Sequence, residues 1–340
     1  MTSAGLTPDL AAAAATHFGL GAVTAPPRPL AGFSPAGVWE LDTVDGPWVV
    51  KATRPQLAWQ LESMRRGGEL ELAAYAAGVA VPRPVPPPGD GVGLWLRVDD
   101  TYLRVSERMA GVPPAQPTEP EVAQWLGATV ARIARLDRPA EITPASYPVH
   151  PLAEWADWLA QARTAGLLTG REQARLAAAV ASATELIGAA MAGTPRFQLA
   201  HRDISRPNIL VTVTGPVLLD FDHAGPEVAW WELLHHAVLL ACARLGQDEP
   251  AATILRAAVG GYADAGGEVG PADPTAFAGL VRGMLEWAAS AVWLGVGRRS
   301  LGPVRSAARR QAEAAGYVRE ASHVLPALLA SLPRWSTWLH

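Results

Sequence analysis

Lysine, asparagine and cysteine are each almost absent from this chain of 340 residues, with one apiece: Lys51, Asn208 and Cys242. A single cysteine excludes an internal disulfide and fits a reducing compartment. No apolar run approaches the ~20 residues that a membrane-spanning helix needs. The opening stretch, MTSAGLTPDLAAAAATHFGL, has no cationic leader and carries Asp9, so it reads as a capped helix and not as a signal peptide. An excess of positive charge is missing too. Residues 1–106 hold 8 basic and 10 acidic side chains, which leaves 20 and 22 of the total 28 and 32 for the rest, so neither part offers a nucleic-acid surface. The expectation is a cytoplasmic globular protein that binds neither nucleic acid nor membrane.

What is present sharpens the meaning of the two singletons. Arginine outnumbers lysine 27 to 1, and alanine, glycine and proline abound, the mark of coding sequence rich in G and C. Arginine replaces lysine poorly where a compact point charge is required. Lys51 and Asn208 are therefore the first positions at which to look for chemistry.

The hydrophobic pattern divides the chain. A short helix is expected over 8–18, and GVWELDTVDGPWVVKAT reads as a strand pair with Lys51 on its second strand. A helix follows through Leu72, Tyr75 and Ala76, and LWLRVDDTYLRVSERM supplies two more strands around an Asp99-Asp100 turn. The Pro-rich GVPPAQPTEPE then acts as a connector, after which the pattern is helical. NILVTV and PVLLDF, flanking Thr214-Gly215 as a hairpin, are the only later strand candidates. The reading is an α+β, bilobal chain: a sheet-rich N-terminal lobe over 1–106, a hinge and connector over 107–121, and a helical C-terminal lobe over 122–340.

Phosphoryl transfer from a nucleotide requires a cation on the inner phosphates, metal ligands, and a carboxylate for the acceptor's proton. Residues 201–210, HRDISRPNIL, place Asn208 five positions after Asp203, and VLLDFD ends an apolar run on Asp220. Lys51 on a strand, a helix carrying Glu62, Glu69 and Glu71, His201-Arg202-Asp203, Asn208 and Asp220 occur in the order of the kinase signature. HRDISRPNIL with VLLDFDHAG resembles the H-G-D-x-x-x-x-N and I-D-(W/F) motifs of the aminoglycoside phosphotransferase family, the choline-kinase-like branch of the protein-kinase fold.

That resemblance implies ATP or GTP and Mg²⁺ as cofactors and a small-molecule hydroxyl as acceptor. It implies Asp203 as the catalytic carboxylate, Asn208 and Asp220 as metal ligands, and Asp222 as an acid supporting them. Lys51 would contact the α- and β-phosphates. Glu69, on the Leu72/Ala76 face of its helix, is the expected partner of Lys51. Backbone near Glu107 and Met109 would meet the adenine edge, and Ser34 in AGFSPAG would lie in the phosphate loop. The departures are Arg202 for the family's Gly, Ser205 for a frequent His with Arg206 as substitute cation, Glu232 for Asp in WWELL, and a phosphate loop without G-x-G-x-x-G. An antibiotic or aminosugar-like natural product is the leading acceptor. A metabolic kinase for choline, homoserine or a sugar, and a silent nucleotide-binding module, stand as alternatives. For choline, Glu286-Trp287 is the conspicuous acid–aromatic pair.

Other clusters read as structural. Adjacent His235 and His236 point to different faces of a helix and make a poor metal site. The arginines at 298, 299, 305, 309 and 310 read as a solvated helix face. Most of the eight tryptophans after residue 150 are expected in the core.

Overall fold

The computed structural model describes the chain except for residues 1, 4, 31–36, 56, 90, 144–145, 247 and 298–306; at 2–3 and 307–312 it describes backbone alone. The fold is bilobal and kinase-like, with a smaller sheet-rich N-terminal region and a larger helical C-terminal one. In chain order the elements are β1 (Thr2–Ser3), α1 (Pro8–His17), β2 (Arg28–Pro29), β3 (Gly37–Thr43), β4 (Gly46–Arg54) and α2 (Ala58–Ala76). Then come β5 (Pro84–Val85), β6 (Leu96–Val98), β7 (Thr101–Glu107), α3 (Pro120–Ala134), α4 (Leu152–Thr164) and α5 (Gly170–Ala192). Short β8 (Gln198–Ala200), the hairpin β9 (Ile209–Thr212) and β10 (Gly215–Leu218), and β11 (Gly225–Glu227) precede α6 (Ala229–Ala241), α7 (Ala252–Asp264), α8 (Ala278–Gly295) and α9 (Ala307–Ser336).

Two compact units result. The first joins Met1–Ala115 to Arg132–Arg138 and Leu199–Gly225; the second holds Gln116–Ala131, Pro139–Gln198 and Pro226–His340. Residues 199–225, which carry HRDISRPNIL and VLLDFD, thus belong with the N-terminal sheet.

In the first unit, seven antiparallel strands run in the order β2-β3-β4-β7-β5, with β1 on β4 and β6 on β7. Side chains alternate across a strand. Val50, Ala52, Leu103 and Val105 therefore share one face, buried with Ala11, Ala14 and Phe18 of α1 and its end. Lys51 and Arg104, register partners on β4 and β7, share the other. Helix α1 starts where Thr7 caps it, accepting from the Leu10 N–H, with Pro8 and Asp9 in the first turn.

Helix α2 carries Gly67 and Gly68 in its interior, where glycine ordinarily costs about 1 kcal/mol against alanine. Their use is close approach. A Cβ at Gly67 would run into the carbonyl of Phe221, and one at Gly68 would meet the Leu94 amide. Ser63 adds a hydrogen bond from its hydroxyl to the Asp222 carbonyl, 2.9 Å. The helix is thereby seated on the 220–223 turn.

The second unit is helical. Helix α5 opens with a capping box, Thr169 accepting from the Glu172 N–H while Glu172 accepts from the Thr169 N–H. It is also long and apolar enough to cross a membrane, which the sequence reading did not anticipate. Its buried residues, Leu176, Ala179, Val180, Ala183, Ile187 and Ala190, recur at the three- and four-residue spacing of a helix with one face in a protein core. Trp155, Trp158, Trp230, Trp231 and Trp335 are buried in this unit, as expected for core tryptophans. Short β8 and β11 are additions to the strands read from sequence; three residues are too few to show a period.

Candidate active site

A cavity of about 600 Å³ opens within the first unit, in the range typical of ligand pockets. Leu30, Val38, Val49 and Pro82 from the sheet side, with Leu210 and Leu219 from the 199–225 segment, form apolar walls. Lys51, Glu71, Arg104, Asp203, Asn208 and Asp220 place their polar groups along it.

The 201–208 loop is held by its own bonds. His201 is fully buried and accepts at Nδ1 from the Asp203 N–H at 3.2 Å, so its proton sits on Nε2, which donates to the Leu219 carbonyl at 3.0 Å. Burial keeps the ring neutral, pushing its pKa down to about 4. Its role is structural, tying the loop to the strand that delivers Asp220. Arg202 stands at φ +67°, the left-handed region that glycine enters without cost, which explains the Gly of the family motif.

Asn208 Nδ2 donates both to the Asp203 carbonyl, 2.9 Å, and to Asp203 Oδ2, 2.7 Å, fixing the amide so that Oδ1 is the atom not given to Asp203. Burial raises the Asp203 carboxyl above its ordinary value. Asp220 is itself left-handed at φ +66°, and its Oδ1 lies 2.6 Å from Lys51 Nζ. Burial alone would raise Asp220, but the Lys51 ammonium overrides it and holds the carboxyl well below the usual range. Burial likewise works against the charge on Lys51, and Asp222 and Asp220 more than restore it, so its pKa lies above the ordinary value.

The helix acid is not the one expected. Glu69 lies on the outer side of α2, 2.5 Å from Arg65, and is 40 % exposed. Glu71, two positions on, is buried against the cavity and paired with Arg104. Arg104 also reaches Asp222 at 3.0 Å, and Asp222 reaches Lys51 at 3.2 Å. Arg104 was not anticipated. The signal for it was a charged residue inside the strand run YLRVS, in phase with Ser106, which also lines the cavity.

Glu107 and Met109 both line the cavity. The Glu107 N–H is committed to the Arg83 carbonyl at 2.9 Å, and the Met109 carbonyl accepts from Arg108 at 2.6 Å with a second lone pair remaining. Ser34 lies outside the described residues, as do the side chains of the arginines between 298 and 310. Arg206 is not in the cavity wall; its Nε donates to the Pro114 carbonyl at 2.6 Å. His235 and His236 stack, centroids 4.7 Å apart, instead of diverging.

No group of three or more His, Cys, Asp or Glu among the described residues is placed to hold a metal unaided. Magnesium rarely needs one, being held through one or two carboxylates together with substrate phosphates. Asp220 and Asn208 Oδ1 are hard oxygen donors of that kind and fit it.

Residues 27–269 match the phosphotransferase enzyme family. The chain belongs to that family, in its aminoglycoside phosphotransferase and choline-kinase-like group. Among solved structures it is similar to spectinomycin phosphotransferase bound to ADP and spectinomycin, at 12% identity and TM-score 0.65, covering 96% of this chain and 98% of that one. The microcompartment-associated aminopropanol kinase matches at 18% identity and TM-score 0.61, over 95% and 98%. A choline/ethanolamine kinase family protein from Mesorhizobium loti matches at 17% identity and TM-score 0.57, over 96% and 99%. No curated protein matches in sequence. Family membership supports ATP-dependent phosphotransfer.

Proposed function

We propose that the protein moves the γ-phosphate of ATP to a hydroxyl of a small molecule, an antibiotic or aminosugar-like natural product, with GTP the other nucleotide to be tried as donor. The supporting observation is that Lys51, Asp203, Asn208 and Asp220 line one cavity in one unit. In this reading Asp203, oriented by Asn208, accepts the proton of the attacking hydroxyl. Lys51 exchanges Asp220 for the α- and β-phosphate oxygens, and Asp220 with Asn208 would hold magnesium, whose chemistry is to neutralise charge developing on the phosphoryl oxygens. The same reading assigns the protein to the cytoplasm, where magnesium and ATP are supplied.

Spectinomycin phosphotransferase favours an antibiotic acceptor. The aminopropanol and choline/ethanolamine kinases favour the second reading, a metabolic small-molecule kinase. Within that reading, Glu286 beside Trp287 shares one carboxylate oxygen with Arg282 at 2.7 Å, which weakens that pair as a site for the choline cation. Presence of all four polar groups argues against a silent module.

The test is a mass-spectrometric screen with Mg-ATP and Mg-GTP against aminoglycosides, other antibiotics, amino alcohols, homoserine and sugars. A gain of one phosphoryl group that disappears in Asp203→Ala is expected on an antibiotic or aminosugar. Transfer only to an amino alcohol would move the protein to the metabolic reading, and turnover surviving in Asp203→Ala would remove Asp203 from its role.

A further inference from the structure

Lys51 and Arg104 face each other across β4 and β7 on the cavity side of the sheet. Like charges placed directly opposite repel, and three carboxylates separate these. Their distribution is unequal. Glu71, the acid from α2, goes to Arg104 and makes no ion pair with Lys51. Asp222 sits between the cations, 3.0 Å from Arg104 and 3.2 Å from Lys51. Asp220 takes Lys51 alone, at 2.6 Å.

The three members of the Glu71–Arg104–Asp222 chain are fixed independently of any ligand. Their side chains are 3 %, 6 % and 8 % exposed. Arg104 lies over the Trp95 ring, 5.9 Å from its centroid. The Asp222 backbone is held by Ser63. Asp220, by contrast, is the carboxylate that the proposed function hands to the metal. Once it is handed over, one ion-pair partner among the described residues is left at Lys51, and that is Asp222.

Resting on the reading of the cavity as an Mg-nucleotide site, we propose that Asp222, held by Arg104, positions Lys51 for the phosphates, and that Glu71, which makes no ion pair with Lys51, acts on it chiefly through Arg104. Arg104 and Asp222 are then positioning residues. The helix glutamate, which in the kinase signature pairs with the strand lysine, is here one link removed.

The chain offers a direct probe, because protein labelled with nitrogen-15 at lysine Nζ carries one such signal. Without nucleotide, Asp222→Asn and Arg104→Met are expected to move that signal, and Glu71→Gln to move it far less. Binding of the non-hydrolysable Mg-AMP-PNP, by calorimetry, is expected to weaken about tenfold or more in Asp222→Asn, as loss of a charge-assisted hydrogen bond implies, and by less than about threefold in Glu71→Gln. Arg104→Lys is expected to recover part of what Arg104→Met loses. A Glu71→Gln variant that moves the signal and weakens binding as much as Asp222→Asn overturns the proposal. Should Arg104→Met not fold, the comparison of Asp222→Asn with Glu71→Gln still decides. If the wild type binds no Mg-nucleotide while the lysine signal follows Asp222, the nucleotide reading falls and the positioning of Lys51 by Asp222 stands.

Discussion

At the scale of the residue, Asp203 and His201 separate chemistry from scaffolding within three positions. Asp203→Asn keeps the bond to Asn208 but cannot take a proton. Turnover is expected to fall by about 10²–10⁴-fold, with Mg-nucleotide affinity within about twofold, measured by initial rates and calorimetry. His201 acts on stability. Its folded pKa of about 4 lies below the ordinary 6.5, so the unfolded chain takes up the proton first as pH falls. The ring contributes nothing to pH dependence above about 6.5; below it the folded state loses up to about 3 kcal/mol by pH 4. In urea titrations at pH 7.5, 6 and 5, the decline for His201→Asn is expected to be shallower than for the wild type. These residues were legible because their meaning lies in spacing along the chain: Asp203 and Asn208 fall in one short loop, and Asp220 directly follows the hairpin after it. Arg104 was not, because its importance comes from standing opposite Lys51, and strand register is set by tertiary pairing.

The elements show where sequence reading chose wrongly and why. Glu69 and Glu71 are two positions apart, about 200° around a helix, so the choice between them is a choice of face. The Leu72/Ala76 stripe pointed to Glu69, but the buried residues of α2 are Gln60, Met64, Gly67, Gly68, Leu70, Glu71 and Ala74. Two glycines, a glutamine and the glutamate itself dilute the hydrophobic signal of Met64, Leu70 and Ala74, so the packed face was hard to read. Gly67 is the sharper case. In an exposed helix Gly→Ala stabilises, and Gly188 of α5, with open space around it, is expected to gain about 0.5–1 kcal/mol as Gly188→Ala. Gly67→Ala is expected to have the opposite sign, because its methyl would displace the Phe221 carbonyl and with it Asp220 and Asp222. Chemical denaturation reads the stability of both variants. Calorimetry with Mg-AMP-PNP is expected to show at least about tenfold weaker binding in Gly67→Ala and none of that loss in Gly188→Ala.

At the scale of the whole molecule, the division into a sheet-rich and a helical part followed from periodicity alone, whereas the attachment of residues 199–225 to the first unit is a long-range event that no local pattern announces. It delivers Asp203, Asn208 and Asp220 to the cavity that carries Lys51. Ligand binding there should therefore stabilise the unit: Mg-ATP at one hundred times its dissociation constant is expected to add about 2.7 kcal/mol. Thermal melts with ATP plus excess EDTA are expected to lose most of that gain, and an equal shift without metal would remove magnesium from the account. The arithmetic of the buried charges says why. Three cations, Lys51, Arg104 and Arg108, stand against Asp220, Asp222, Glu71 and Glu107, with Asp203 on the same wall. Burial pushes the Glu71 carboxyl up, yet even with Glu71 neutral the cavity has no surplus of positive charge. A bare nucleotide polyanion would meet a wall that does not attract it, and one travelling with its magnesium counterion would bring less negative charge to that wall. On the proposed reading the cavity sorts ligands by charge before shape, and inorganic polyanions and metal-free nucleotides are expected to bind it poorly.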